Sequence, residues 1–136
     1  MPMTEAEVVE HFCAALERDG WAVTTEVKFV DVLAQKDGAT IYAEAKGHTS
    51  STGTDVDTMY GQLLRRMGDE PEAGARYAVV VPHTALTATL RVPTWVRSRL
   101  NVDVYAIYDN GRIELHGSTA LTDPENMGWV PSEPGR

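Results

Sequence analysis

Apolar positions recur along the chain in two rhythms, one helical and one strand-like. Between Thr4 and Gly20, the residues Val8, Val9, Phe12, Cys13 and Leu16 fall at helical spacing. Thr4 and Glu7 stand at capping-box distance, and Gly20 is placed to end the helix. Trp21 to Val27 and Lys28 to Gln35 are rich in β-formers, with a bend or bulge expected near Glu26 to Lys28. Lys36-Asp37-Gly38-Ala39 predicts a tight hairpin turn, because Asp-Gly tolerates positive φ angles; Thr40 to Lys46 is the returning strand. Gly47 to Gly53 reads as a small-residue loop. A second helix, capped by Thr54 and stopped by Gly68, carries Val56, Met59, Tyr60, Leu63, Leu64 and Met67 on one stripe. Gly61 in its middle costs about 1 kcal/mol against alanine, which suggests close packing or a nearby ligand.

Beyond an acidic loop, Asp69 to Gly74, the run Tyr77 to Val81 is closed by Pro82 and is continuously apolar, as expected of a strand covered on both faces. Thr84 to Leu100 predicts an interrupted helix restarted at Pro93, with Trp95, Val96 and Leu100 facing inward. Val102 to Tyr108 and Arg112 to His116 are strands joined through Asp109-Asn110-Gly111. The order is helix, three-strand antiparallel meander, helix, strand, helix, strand. The last strand–helix–strand unit should be parallel with a right-handed crossover. The expected fold is α/β, a mixed sheet flanked by helices over residues 1–116. Residues 117–136 form a Pro/Gly-containing tail, loop or partly disordered, in which Trp129 is the candidate anchor.

Composition narrows the setting. The 136 residues suit one domain, and 43% hydrophobic with 24% charged is an ordinary balance for a globular chain. No apolar run approaches the roughly 20 residues needed to cross a bilayer, and the acidic N-terminus lacks signal-peptide character. A single cysteine, Cys13, allows neither an internal disulfide nor a cysteine-based metal cage, so a cytoplasmic location is expected. The net charge of −8 disfavours tight non-specific binding to a phosphate backbone. A nucleic-acid role then needs a local basic patch, bound cations or a partner.

The Asp37-Gly38 turn also predicts a constellation. In a two-residue hairpin, strand partners follow outward as Lys36 with Ala39, Leu33 with Tyr42 and Asp31 with Glu44. Directly opposed residues have Cβ atoms about 5 Å apart on one face. Lys46 shares that face, opposite Phe29. Two carboxylates and an amine thus gather among Phe29, Leu33 and Tyr42. Such carboxylates raise one another's pKa unless a cation lies between them. A divalent ion with hard oxygen ligands resolves the conflict, Mg²⁺ commonly taking one or two carboxylates plus waters. Lys46 would then orient an attacking water or stabilise phosphate charge.

Val30-Asp31 followed by Tyr42-Ala43-Glu44-Ala45-Lys46 resembles the PD-(D/E)xK signature of restriction-endonuclease-like nucleases, with Val30 in place of the proline. That family shares the helix–meander–helix–strand order, and GWAVTTEV before the aspartate is most similar to the archaeal Holliday-junction resolvase and Mrr-like branch. The resemblance covers roughly residues 4 to 108 and implies a metal-dependent endonuclease acting on nucleic acid, with DNA the expected substrate. Asp31, Glu44 and the Ala45 carbonyl would bind Mg²⁺, for which Mn²⁺ can substitute; Lys46 would serve the water, and Gln62 would fill a position some members use in the following helix. Many members also place a first-helix glutamate near the metal. Glu5, Glu7 and Glu10 are the candidates here; Glu5 falls toward the apolar stripe, where it could equally complement the helix dipole.

Plainer readings stand beside these. Asp31, Glu44 and Lys46 could form a cross-strand ion-pair ladder. Gln62, Arg65 and Arg66 are either surface residues or a phosphate-contacting patch. Arg91, Arg97 and Arg99 read as solvated helix surface, His48 and His83 as surface histidines, and Cys13 as core. The competing function is a catalytically silent nuclease-like fold that binds protein or nucleic acid, as a homodimer or docked on a larger protein.

Overall fold

A computed structural model of the chain describes residues 2–27, 30–117, 129 and 131. The chain forms an α/β fold, a six-stranded mixed sheet flanked by helices. The elements are α1 (Glu5–Arg18), β1 (Ala22–Val27), β2 (Val30–Lys36), β3 (Ala39–Ala45), α2 (Thr52–Arg65), β4 (Ala75–Pro82), a 3-10 turn (His83–Ala85), α3 (Leu86–Thr89), α4 (Thr94–Leu100), β5 (Val102–Ile107) and β6 (Ile113–His116). The strands lie side by side in chain order. β1, β2 and β3 form an antiparallel meander, β4 and β5 join in parallel, and β6 returns antiparallel at the far edge.

Local chemistry explains the first elements. Thr4 and Glu7 close a capping box on α1, and Gly20 takes φ +89° just past its end. Asp37 (φ 49°) and Gly38 (φ 84°) both adopt the left-handed conformation that a two-residue hairpin demands. This fixes the β2–β3 register as Lys36 with Ala39, Leu33 with Tyr42 and Val32 with Ala43. The expected bend near Glu26 appears as a left-handed backbone at Glu26, φ 55°; residues 28 and 29 lie outside the described set.

Alternation along the strands gives each face its own core. Val8, Phe12, Cys13 and Leu16 of α1 pack on Val32, Ala34, Ile41, Ala43, Ala78, Val80, Tyr105 and Ile107. On the opposite face Val56, Met59, Tyr60 and Leu63 of α2 pack on Val79, Val81, Val102 and Val104. Cys13 is core as expected, and burial pushes its thiol up to about 11. Trp129 packs beside Phe12 and Tyr105, donates its indole N–H to Asp19 and accepts from the Tyr105 hydroxyl. Otherwise the tail expectation falls on residues mostly outside the described set. Among the described residues no helix is long and apolar enough to cross a membrane.

Four expectations need correction. Leu64, expected on the apolar stripe of α2, is exposed. α2 starts at Thr52 rather than after Thr54, with the Thr49 hydroxyl donating to the Asp55 carboxylate of its first turn. In α4, Trp95 is 67% exposed and Leu100 is also exposed, whereas Arg97 is buried at 3%. The Arg97 guanidinium donates to the carbonyls of Val92 and His116 and to the Thr94 hydroxyl, so three acceptors compensate its desolvation. Gly61 has open space where a Cβ would stand, so no close packing demands it.

Candidate active site

The β2–β3 pairing runs from the turn to Val32 and Ala43, and there it stops. Asp31 and Glu44 stand one step beyond, as the register expected, but not as a backbone-paired couple. Lys46 sends its N–H to Val80 on β4. Because successive residues of a strand point their polar groups to opposite sides, the N–H and C=O of Ala45 face β2. That amide donates to Asp31 Oδ2 at 2.8 Å. The aspartate thus takes over where the ladder ends, and the Ala45 carbonyl is turned toward the same side.

Glu44 is 5% exposed, on the sheet face shared with Leu33, Tyr42 and Val79. Burial, a hydrogen bond with Asp31 and the Asp31 charge push its carboxyl up to about 8; Arg66 and Lys46 pull only weakly the other way. The cluster therefore favours the protonated form of Glu44. Glu44 has no ion-pair partner within 4.0 Å among the described residues. An ion-pair ladder would have held both carboxylates ionised against a cation, and that is not the arrangement found.

Sequence spacing left the first-helix acid undecided among Glu5, Glu7 and Glu10. Glu7 is taken by the capping box. Glu5 lies close enough to Asp31 and Lys46 to sense both charges, and its carboxyl is raised by burial and by Asp31, with Lys46 opposing. Gly47 makes this approach possible. A Cβ on Gly47 would stand 2.2 Å from the Glu5 nitrogen and 2.5 Å from the Thr4 carbonyl carbon. Beside it, His48 N–H donates to the Met3 carbonyl at 2.7 Å. The segment after Lys46 is thereby fastened to the start of α1. Glu5, Glu26 and Asp31 then line one open cavity of about 250 Å³ with Ala6, Val9 and Thr25.

Gln62 is half-buried on α2, one helical turn before Arg66. Among the described residues it makes no hydrogen bond to Asp31, Glu44 or Lys46, so the structure does not bring it into the cluster as Glu5 is brought. Phe29, expected opposite Lys46, lies outside the described residues. Arg65 and Arg66 are exposed at the end of α2, and Arg66 is near enough to act on Glu44. Among the described residues no three His, Cys, Asp or Glu side chains are gathered closely enough to cage a metal by themselves. The donors on offer are two carboxylates and a backbone carbonyl, all hard oxygens. Such a set fits a small divalent cation that keeps several waters better than a thiolate- or imidazole-seeking metal.

Compared with known proteins, the sequence matches no family model and no curated protein.

Proposed function

We propose that the chain is a metal-dependent nuclease, hydrolysing phosphodiester bonds in DNA from a site made of Asp31, Glu44 and Lys46 on a restriction-endonuclease-like core. The observation that carries this reading is the juxtaposition of buried Glu44 with half-buried Asp31, two acids side by side with no base in ion-pair contact with Glu44 among the described residues. At neutral pH burying one acid beside another is costly, and a cation between them would offset that cost. The element order agrees: an aspartate at the start of the second strand, Glu-x-Lys at the end of the third, and a parallel strand beyond the second helix.

Asp31, Glu44 and the Ala45 carbonyl would hold Mg²⁺ or Mn²⁺, which when bound lowers the pKa of a water and polarises the scissile phosphate. Lys46, on the strand end next to Glu44, would orient the attacking water and offset charge gathering on the phosphate. Glu5 would accept a hydrogen bond from that water or from one beside the cation. Exposed Arg65 and Arg66 would offset the net charge of −8 locally, holding phosphates that the whole molecule repels. A role for Gln62 rests on the family resemblance alone.

A second reading has its own support. Asp31 Oδ2 is already engaged by the Ala45 amide, a structural task that a silent binding module would also need. Cleavage of labelled single-stranded, duplex and branched DNA in Mg²⁺, Mn²⁺ or EDTA separates the two. Metal-dependent cutting lost in Asp31→Ala and Lys46→Ala supports the nuclease. Cutting at full rate by Lys46→Ala sinks the mechanism, and no cutting on any substrate favours the binding module.

A further inference from the structure

Two histidines far apart in sequence meet at the carboxyl ends of the parallel strands. His48 follows β3, His83 follows β4, and Asp109 follows β5. With Pro2, Met3, Pro82 and Thr84 they line an open cavity of about 280 Å³. The carboxyl ends of parallel strands are where open α/β sheets bind ligands. Lys46 lies two residues before His48, so the cavity adjoins the candidate active site.

The chemistry of the lining narrows the ligand. Among the described residues no lysine or arginine lines the cavity, and Asp109 contributes a carboxylate, so a phosphate is a poor occupant. The His83 ring is built into a stack: Tyr108 lies against it at 4.8 Å between centroids, 12° from parallel, and the Arg112 guanidinium sits 4.1 Å from the Tyr108 ring centre. This stack fixes a flat imidazole at the cavity wall, with Pro2, Met3 and Pro82 as apolar surround. Asp109 Oδ1 and the Thr84 hydroxyl supply acceptors for an N–H edge. Asp109 and His83 are themselves only in long-range contact, at 4.0 Å, which leaves the carboxylate's hydrogen-bonding capacity largely unspent.

We infer that this cavity is a subsite for one unstacked nucleobase of the strand being cut, the base stacking on His83 and presenting its amino edge to Asp109. The inference rests on the nuclease reading and adds to it a substrate class: a strand with at least one unpaired or extruded base beside the scissile phosphate. Bases carrying an exocyclic amino group on their pairing edge, adenine, cytosine and guanine, should be preferred over thymine, which has none.

The test is an abasic scan read by binding rather than by cutting. Single-stranded and branched oligonucleotides, each lacking one base, are titrated against the whole chain with Ca²⁺ in place of Mg²⁺ and followed by fluorescence anisotropy. One position should stand out, its loss weakening binding about tenfold, as expected for one stacked base. His83→Ala should remove that step while leaving the other positions unchanged, and Asp109→Asn should flatten the preference against thymine there. Both side chains are partly exposed, so neither variant endangers the fold. A flat scan, a step that survives His83→Ala, or no DNA binding at all overturns the subsite. Failure of the nuclease reading looks different: the step is present, yet no substrate is cut. Cutting with a flat scan is the converse, and sinks the subsite alone.

Discussion

The sheet buries two acids in opposite ways. Asp103, 1% exposed on the α1 face, takes both Nε and Nη2 of Arg76 at 2.8 Å, a two-pronged pairing that meets its charge in full. Glu44, 5% exposed on the α2 face, has another acid, Asp31, as its hydrogen-bond partner, and its carboxyl is pushed up to about 8. The two lie on neighbouring strands' registers, Ala78 with Asp103 and Val79 with Glu44, so burial and sheet position are closely matched. What differs is the partner. A carboxylate paired with a guanidinium has its charge balanced within the fold, whereas Glu44 is pushed toward its neutral form by burial and a neighbouring acid.

The contrast can be broken most forcefully from the paired side. Arg76→Met should strand a buried carboxylate and destabilise the chain by about 3–5 kcal/mol in urea denaturation. A loss below about 1 kcal/mol would mean that Asp103 is not held as the geometry indicates. Next in size is Gly47→Ala. Its Cβ would meet backbone rather than a pliable side chain, so the α1 start must move, at about 1–3 kcal/mol. If Glu5 matters, cleavage should fall further in this variant than its thermal stability explains, and Glu5→Gln should lower activity with its stability unchanged.

From the unpaired side, the expected sign reverses. Glu44→Gln should leave the metal-free protein as stable as the parent or more so, by up to about 1 kcal/mol, while abolishing cleavage, as expected where function opposes stability. The pH profile carries the same information. The Glu44 carboxyl sits at about 8 in the folded chain against an ordinary 4.5, so between these values the native state binds more protons than the unfolded one. Its contribution is complete below about pH 4.5 and is lost as pH rises through about 8. Glu44→Gln should flatten that fall in metal-free melting curves; an unchanged slope would assign it to other groups. The smallest effect is Gly61→Ala, which meets open space and should stabilise α2 by about 0.5–1 kcal/mol, measurable by thermal melting.

How much of this the residues announce depends on range. The Asp37-Gly38 turn is local chemistry, and it brings Asp31 and Glu44 together, because a two-residue hairpin admits one register. The α1 capping box is equally local. What sequence spacing does not reach is contact between distant segments. Glu5 emerges over Glu7 and Glu10 only because Gly47 lets β3's end touch the start of α1. His48, His83 and Asp109 converge through the parallel order of β3, β4 and β5. Short α4 inverts its apparent amphipathicity, since Arg97 finds three acceptors inside while Trp95 is left outside. Periodicity over seven residues is too weak a constraint to foresee that.

The most direct measurement of the central claim is calorimetric titration of Mg²⁺ at pH 7 in two buffers of different ionisation enthalpy. If the Glu44 carboxyl holds a proton in place of a cation, binding should release close to one proton per ion, because a carboxyl at about 8 is mostly protonated at that pH. Glu44→Gln should abolish both the release and most of the affinity. No binding by the parent chain, or binding without proton release that survives Glu44→Gln, would contradict the account.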